Sequence, residues 1–121
     1  ALAARGAEVV FIPANWPQRR IAAWSTLLAA RAIENQMAVC GVNRVGRDGA
    51  GLDYPGASAL HDAFGEVTAK GDATEGLVVG DLDLSALRTW RERFPALRDR
   101  RPEVYSALER KDGTPMNADK S

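Results

Sequence analysis

EVVFIPANWPQRRIAAWSTLLAARAIENQMAVCGVNRVG, Glu8–Gly46, is the stretch on which the fold turns. It opens with a continuous apolar run, Glu8–Ala14, rich in β-branched residues, which predicts a strand covered on both faces. Pro13 closes that run, because proline donates no ladder hydrogen bond. Asn15-Trp16-Pro17 reads as a loop. A helix is expected from between Pro17 and Ile21 to about Gln36, and Met37–Gly46 is a second buried strand. Strand, helix and strand in this order imply a right-handed crossover between parallel strands, hence a layered α/β architecture.

On a helical wheel, Ile21, Trp24, Leu27 and Leu28 share one arc. Arg31 and Asn35 fall within that arc and Glu34 lies at its edge. The far side carries Ala22, Ala29, Ala30 and Ile33, with Ser25, Thr26 and Gln36. No charged solvent face emerges, so the helix is expected to be covered on both sides. Arg31, Glu34 and Asn35 must then find partners, since an unpaired buried charge is costly. Arg31 and Glu34 are spaced to pair, either as a structural ion pair or as support behind a site.

Outside this unit, ALAARG reads as the last turns of a helix stopped by Gly6, a start without a capping residue that suggests a chain entered midway. RDGAGLDYPGAS is a glycine-rich loop. SALHDAFGEVTAKG predicts a hairpin turning at Asp62-Ala63-Phe64-Gly65, which makes the sheet mixed. EGLVVGDLDL predicts a further strand, and Ser85 is expected to cap a short helix, SALRTWRERF. RDRRPEVY is expected to run extended along the surface. The domain is expected over 1–105, with a polar, disordered tail over 106–121.

The bulk numbers fit one small domain: 121 residues, with 16 basic and 16 acidic side chains. That balance gives no reason to expect nucleic acid or an anionic membrane surface as a partner. No apolar run approaches the ~20 residues of a membrane span. A single cysteine rules out an internal disulfide and favours a reducing, cytoplasmic setting.

Several segments occur here in a specific order. They are FIPANWP (Phe11–Pro17), Ala23-Trp24 with Leu27-Leu28, ARAIENQ (Ala30–Gln36), GVNRVG (Gly41–Gly46), Tyr54-Pro55-Gly56-Ala57-Ser58, and the Asp62/Gly65 turn. Together they resemble the nitrilase superfamily of carbon–nitrogen hydrolases, over residues 1 to about 105, and within it the omega-amidase branch acting on terminal amides of small 2-oxo acids. The resemblance implies the C-terminal half of a four-layer α-β-β-α sandwich. It implies a Glu base, a Lys and a Cys nucleophile, all upstream of Ala1, no cofactor, and a homo-oligomer built through the helix Pro17 to Gln36. It also implies that the segment holding Ala14, Asn15 and Trp16 lines the pocket.

Position supports that last point, since ligands in layered α/β folds collect outside the carboxyl ends of strands. The first strand ends at Ala14, Asn15 and Trp16. The second, if parallel, ends at Asn43-Arg44 on the same side, making Asn43 a fourth candidate. An amide and an aromatic wall suit a small polar substrate with an apolar stem. The plainer alternative has Asn15 making a turn and Trp16 packing. Cys40 has no basic neighbour in sequence to activate it and is expected to be inert core. His61 is expected on a strand surface. Asp48, Asp53, Asp81 and Asp83 match no metal-binding loop. Three functional readings stay open: part of a Cys-dependent omega-amidase, a non-catalytic truncated product that only associates with other subunits, or a nitrilase or carbamoylase of the same superfamily.

Overall fold

A computed structural model describes residues 2–109. Its centre is a four-stranded mixed sheet. β1 (Val9–Ala14) lies parallel to β2 (Ala38–Asn43), joined through a 3-10 turn at Gln18–Arg20 and α1 (Ile21–Asn35). β5 (Ala59–His61) runs antiparallel to β2, and β6 (Val67–Lys70) antiparallel to β5, giving the order β1-β2-β5-β6. The second predicted strand ends earlier than expected. At Asn43-Arg44 the chain leaves the main sheet, and β3 (Val45–Arg47) pairs with β4 (Asp53–Pro55) in a separate ribbon. α2 (Leu84–Arg93) and α3 (Pro102–Glu109) follow.

Parallel register places Val10, Ile12 and Ala14 on the same face as Val39, Gly41 and Asn43. α1 packs on this face through Trp24, Leu28 and Ala32, the core of the molecule. Gly41 permits that approach, because a Cβ there would lie 2.7 Å from Trp24 Cζ2 and closer still to Leu28 Cδ1. The helix ends where Gln36 takes φ 48°, a left-handed cap that turns the chain into β2.

Several sequence expectations change here. The strands are covered on one face, not two, since Phe11 on the second face is 69% exposed. α1 likewise has one covered side: Leu27 and Ile33 are exposed, and the Arg31–Glu34 pair sits on the outside of the helix, where Asn35 donates to Arg31 O. The trio needs no buried partner because each member reaches solvent or a neighbour one turn away. EGLVVGDLDL forms no strand. Its residues Leu77, Val78, Gly80 and Leu82 share a recess of about 420 Å³ with Phe11, Val42, Leu60 and Ala69, so the segment crosses the second face rather than extending the ladder.

The α2 cap is Asp83, not Ser85. Its carboxylate accepts from Ala86 N–H at 2.9 Å and from the Ser85 hydroxyl. Of the stretch expected to be extended, 98–105, the second half is helical: α3 begins at Pro102, where its missing N–H is not needed. That helix reaches Glu109, and the rest of the expected tail, 110–121, lies outside the described residues. The N-terminal turn is 3-10, Ala3–Arg5, stopped by Gly6 at φ 90° as expected. The hairpin turn also closes as expected, with Gly65 N–H donating to Asp62 O and the Asp62 side chain accepting from Phe64 and Glu66 N–H.

α2 closes the amino end of the sheet. Arg88 grips Glu8 with two bonds of 2.6 and 2.9 Å, and Arg91 donates to Gln36 O and Ala7 O. The carboxyl ends of β1 and β2 lie at the opposite edge.

Candidate functional site

The carboxyl ends of β1 and β2 sit side by side, with Ala14 registered against Asn43. Beyond Ala14 the chain turns outward through Asn15 and Trp16, held by three interactions. Arg44 N–H donates to Ala14 O at 3.0 Å, which carries the ladder one step further. The Trp16 indole N–H donates to Arg20 O at 2.6 Å, and its ring meets Trp24 at 5.6 Å between centroids. Asn43 supplies the third. Its Oδ1 accepts from Trp16 N–H at 2.6 Å, and its Nδ2 donates to Trp16 O at 3.0 Å and to Gly56 O at 2.7 Å. The pattern fixes the amide orientation, because a flip would set oxygen against both carbonyls.

The four candidates therefore differ in what they present. Ala14 is half-buried against the α1 core. Asn15 is exposed, and its side chain bonds to nothing among the described residues, leaving an amide with donor and acceptor free. Trp16 is half-buried and forms a fixed wall. Asn43 is 7% exposed and has both amide hydrogens committed to backbone carbonyls.

Residues to which sequence reasoning assigns no role hold the same edge. Ser58 Oγ accepts from Asn43 N–H at 2.9 Å. Gly56 and Ala57 both take positive φ, 65° and 54°, which turns the chain so that Ala57 O accepts from the Trp24 indole N–H at 2.9 Å. The signal was there, in a Pro-Gly-Ala-Ser run after an apolar strand end. Its meaning depends on contacts 13 to 33 residues away.

The ribbon flanks this edge. Asp48 accepts from Ala50 and Leu52 N–H and from the Tyr54 hydroxyl, all at 2.9 Å. The Leu52 amide, then the Tyr54 hydroxyl, hold its carboxyl below the usual range, and Asp48 in turn raises the Tyr54 phenol. The Arg44 guanidinium lies 5.0 Å over the Tyr54 ring.

Cys40 points away from α1, on the Phe11 and Leu60 side of the sheet, and burial pushes its thiol up. A nucleophile needs the opposite shift. His61 is not on the surface: it is 4% exposed on the α1 face, with Nδ1 3.0 Å from Gly65 O. Its register against Val39 of β2 turns it toward α1, and the tight turn brings Gly65 O onto its ring. Among the described residues, no group of three or more His, Cys, Asp or Glu is arranged to hold a metal, and no helix is long and apolar enough to cross a membrane.

Comparison with known proteins gives one consistent answer. Residues 1–92 match the family model of carbon–nitrogen hydrolases. The chain is 49% identical to an omega-amidase (YafV) of Yersinia enterocolitica over 93 residues, which are 76% of this chain and 36% of that protein. It is 40% identical to a 2-oxoglutaramate amidase of Bacillus subtilis (strain 168), across 84% of this chain and 39% of that one. Among solved structures, a CN-hydrolase superfamily protein of Xanthomonas campestris, with an arsenic adduct in its active site, superposes with TM-score 0.72 at 44% identity, over 78% of this chain and 36% of that chain. The chain thus spans well under half the length of the curated relatives it matches.

Proposed function

The chain belongs to the carbon–nitrogen hydrolase family, and on that footing we propose that the protein it comes from is an omega-amidase, to which this segment contributes one wall of the substrate pocket. The observation that supports the reading most directly is the edge at Ala14, Asn15 and Trp16. A rigid indole stands beside an exposed amide that has no partner among the described residues, outside the carboxyl ends of two parallel strands. A small amide with an apolar stem would lay that stem against Trp16 and use Asn15 for its polar end. The relatives named omega-amidase and 2-oxoglutaramate amidase supply the substrate class.

The chemistry comes from residues outside Ala1–Ser121. Cys40 is unsuited to it, since its thiol is pushed up and it lies on the sheet face away from Asn43. In the proposed reaction a thiolate attacks the amide carbon, a lysine stabilises the tetrahedral oxyanion, and a glutamate passes the proton to the leaving nitrogen. The C–N bond breaks, ammonia departs and a thioester remains. Water, deprotonated by the same glutamate, attacks the thioester, and the acid and the thiol are restored.

The sheet's second face, with Phe11, Cys40, Val42 and Leu60, would receive the other sheet of a sandwich. The outer side of α1, with Ala22, Ala29, Ala30 and Ile33, would meet a second subunit in a cytoplasmic homo-oligomer. Assaying the full-length protein for ammonia release from 2-oxoglutaramate tests the reading. Turnover of that amide, with none of a nitrile or an N-carbamoyl amine, is expected; preference for either of the latter would overturn it.

A further inference from the structure

We infer that Asn43 is a positioning residue: it acts on substrate only through the Asn15–Trp16 segment, which it clamps, and not by touching the ligand. This rests on the proposed pocket wall and deepens it. The side chain is 7% exposed and forms three hydrogen bonds, two of them to opposite sides of one residue, the N–H and the C=O of Trp16. A side chain that takes both polar groups of a single residue behaves as a strand partner, at the point where the β1 ladder stops. The third bond, to Gly56 O, ties the same amide to the positive-φ turn at Gly56-Ala57. That turn receives the Trp24 indole, and Trp24 meets the Trp16 ring.

A closed circuit results: Asn43 holds the Trp16 backbone, the Gly56-Ala57 turn holds Trp24, and Trp24 holds the Trp16 side chain. With both ends of Trp16 fixed, the preceding residue Asn15 is presented outward in one orientation. Neither amide hydrogen of Asn43 remains to serve a ligand. Aspartate would not substitute, since it keeps the acceptor for Trp16 N–H but would face two carbonyl oxygens. Serine or alanine would leave the Trp16 groups unpaired in a half-buried edge.

The test is a double-mutant cycle on the full-length enzyme with 2-oxoglutaramate. Asn15→Ala removes the proposed contact and Asn43→Ala removes the clamp. Because wall contacts bind ground state and transition state alike, each single variant should raise KM about three- to tenfold, the worth of one hydrogen bond, with kcat nearly unchanged. The double variant should be no worse than Asn15→Ala alone. Multiplying effects, or an unchanged KM in Asn43→Ala, overturns the inference. If Asn43→Ala does not fold, Asn43→Ser runs the same cycle, since it removes the clamp without setting a charge against the two carbonyls. Hydrogen exchange reads the clamp without catalysis. Trp16 N–H should lose protection in Asn43→Ala while core β2 amides such as Val39 keep theirs, and equal loss at both would overturn the local role. A wild-type enzyme inactive on the amide, with Trp16 exchange still responding as expected, would sink the proposed function and leave the clamp standing.

Discussion

Gly41→Ala should destabilise the protein, and the structure sets both sign and size. Gly41 faces α1 from the middle of β2. An added Cβ would sit 2.7 Å from Trp24 Cζ2 and 2.9 Å from Leu28 Cδ2, and nearer still to Leu28 Cδ1. These are not flexible ends free to swing aside: Trp24 is 3% and Leu28 2% exposed, and the Trp24 indole is fixed to Ala57 O. Overpacking a filled site costs about 1–3 kcal/mol. If Trp24 shifts instead, the bond to Ala57 is lost, about 1 kcal/mol. Against this, alanine reduces the freedom of the unfolded chain, a gain of about 0.4–1 kcal/mol. The steric term wins, for a net loss of up to about 2.5 kcal/mol and about 1 kcal/mol at mid-range. Urea denaturation should show a lower midpoint with an unchanged slope. Gly49→Ala is the control: a Cβ there meets nothing within 4 Å, so the change should stay within about 0.5 kcal/mol. Pairing Gly41→Ala with Leu28→Ala should cost less than the sum, because Leu28 supplies two of the three contacts. A Gly41→Ala protein as stable as its parent would refute the packing argument.

Cys40→Ala in the full-length enzyme should leave kcat and KM for 2-oxoglutaramate within about twofold, a difference of ~0.4 kcal/mol; loss of turnover would return Cys40 to the chemistry. Asp48→Asn should loosen the β3–β4 ribbon in a pH-dependent way. The folded carboxyl is held below its unfolded value, so its stabilisation is present above that value, near pH 4, and fades as pH falls through the folded one. The gap in melting temperature between wild type and Asp48→Asn should therefore shrink on going from about pH 6 to about pH 3, and a constant gap would contradict it. If the full-length protein associates through α1 as proposed, Ala29→Glu or Ala30→Glu should dissociate it, since an unpaired charge buried in a helix interface costs about 3–5 kcal/mol. Light scattering decides, and a monomeric wild type or two fully associated variants would remove α1 from the interface.

What was legible in the sequence follows from the range of the forces involved. β1, α1 and β2 were placed within a few residues, because each is set by a local apolar pattern and by Pro17 and Gln36 at the ends. The Asp62-Gly65 turn was legible for the same reason: its hydrogen bonds lie inside the turn. EGLVVGDLDL reads as a strand because an apolar β-branched run suits one, yet the segment forms no ladder and passes along the second face with Leu77 and Val79 exposed. His61 reads as a surface residue because nothing local tells which face of β5 is covered; its register against Val39, set by pairing across the sheet, turns it toward α1. The site was half legible. Strand ends gave Asn15, Trp16 and Asn43, but only the register of β1 on β2 and a turn 13 residues further on show that Asn43 is spent on backbone.

The two faces of the sheet explain why the helix pattern was read as more buried than it is. On one face the packing is complete: Val39 is 0% exposed and Ala32 0%, and α1 fills the groove over Gly41. On the other, Phe11 and Val42 remain exposed, beside a recess that Leu77 and Val78 only edge. Both faces of β1 and β2 carry apolar side chains, which is the composition of a strand between two layers. The chain spans 36% of the matched omega-amidase, and its second face is an apolar surface of the kind a further layer covers. The same reasoning applies outside α1. Leu27 and Ile33 lie among alanines, with Arg31, Glu34 and Asn35 bonded to one another. The trio that in sequence demands buried partners is in the structure an exposed set: its members bond to one another within a turn, and Arg31 and Glu34 keep about half of their surface in water.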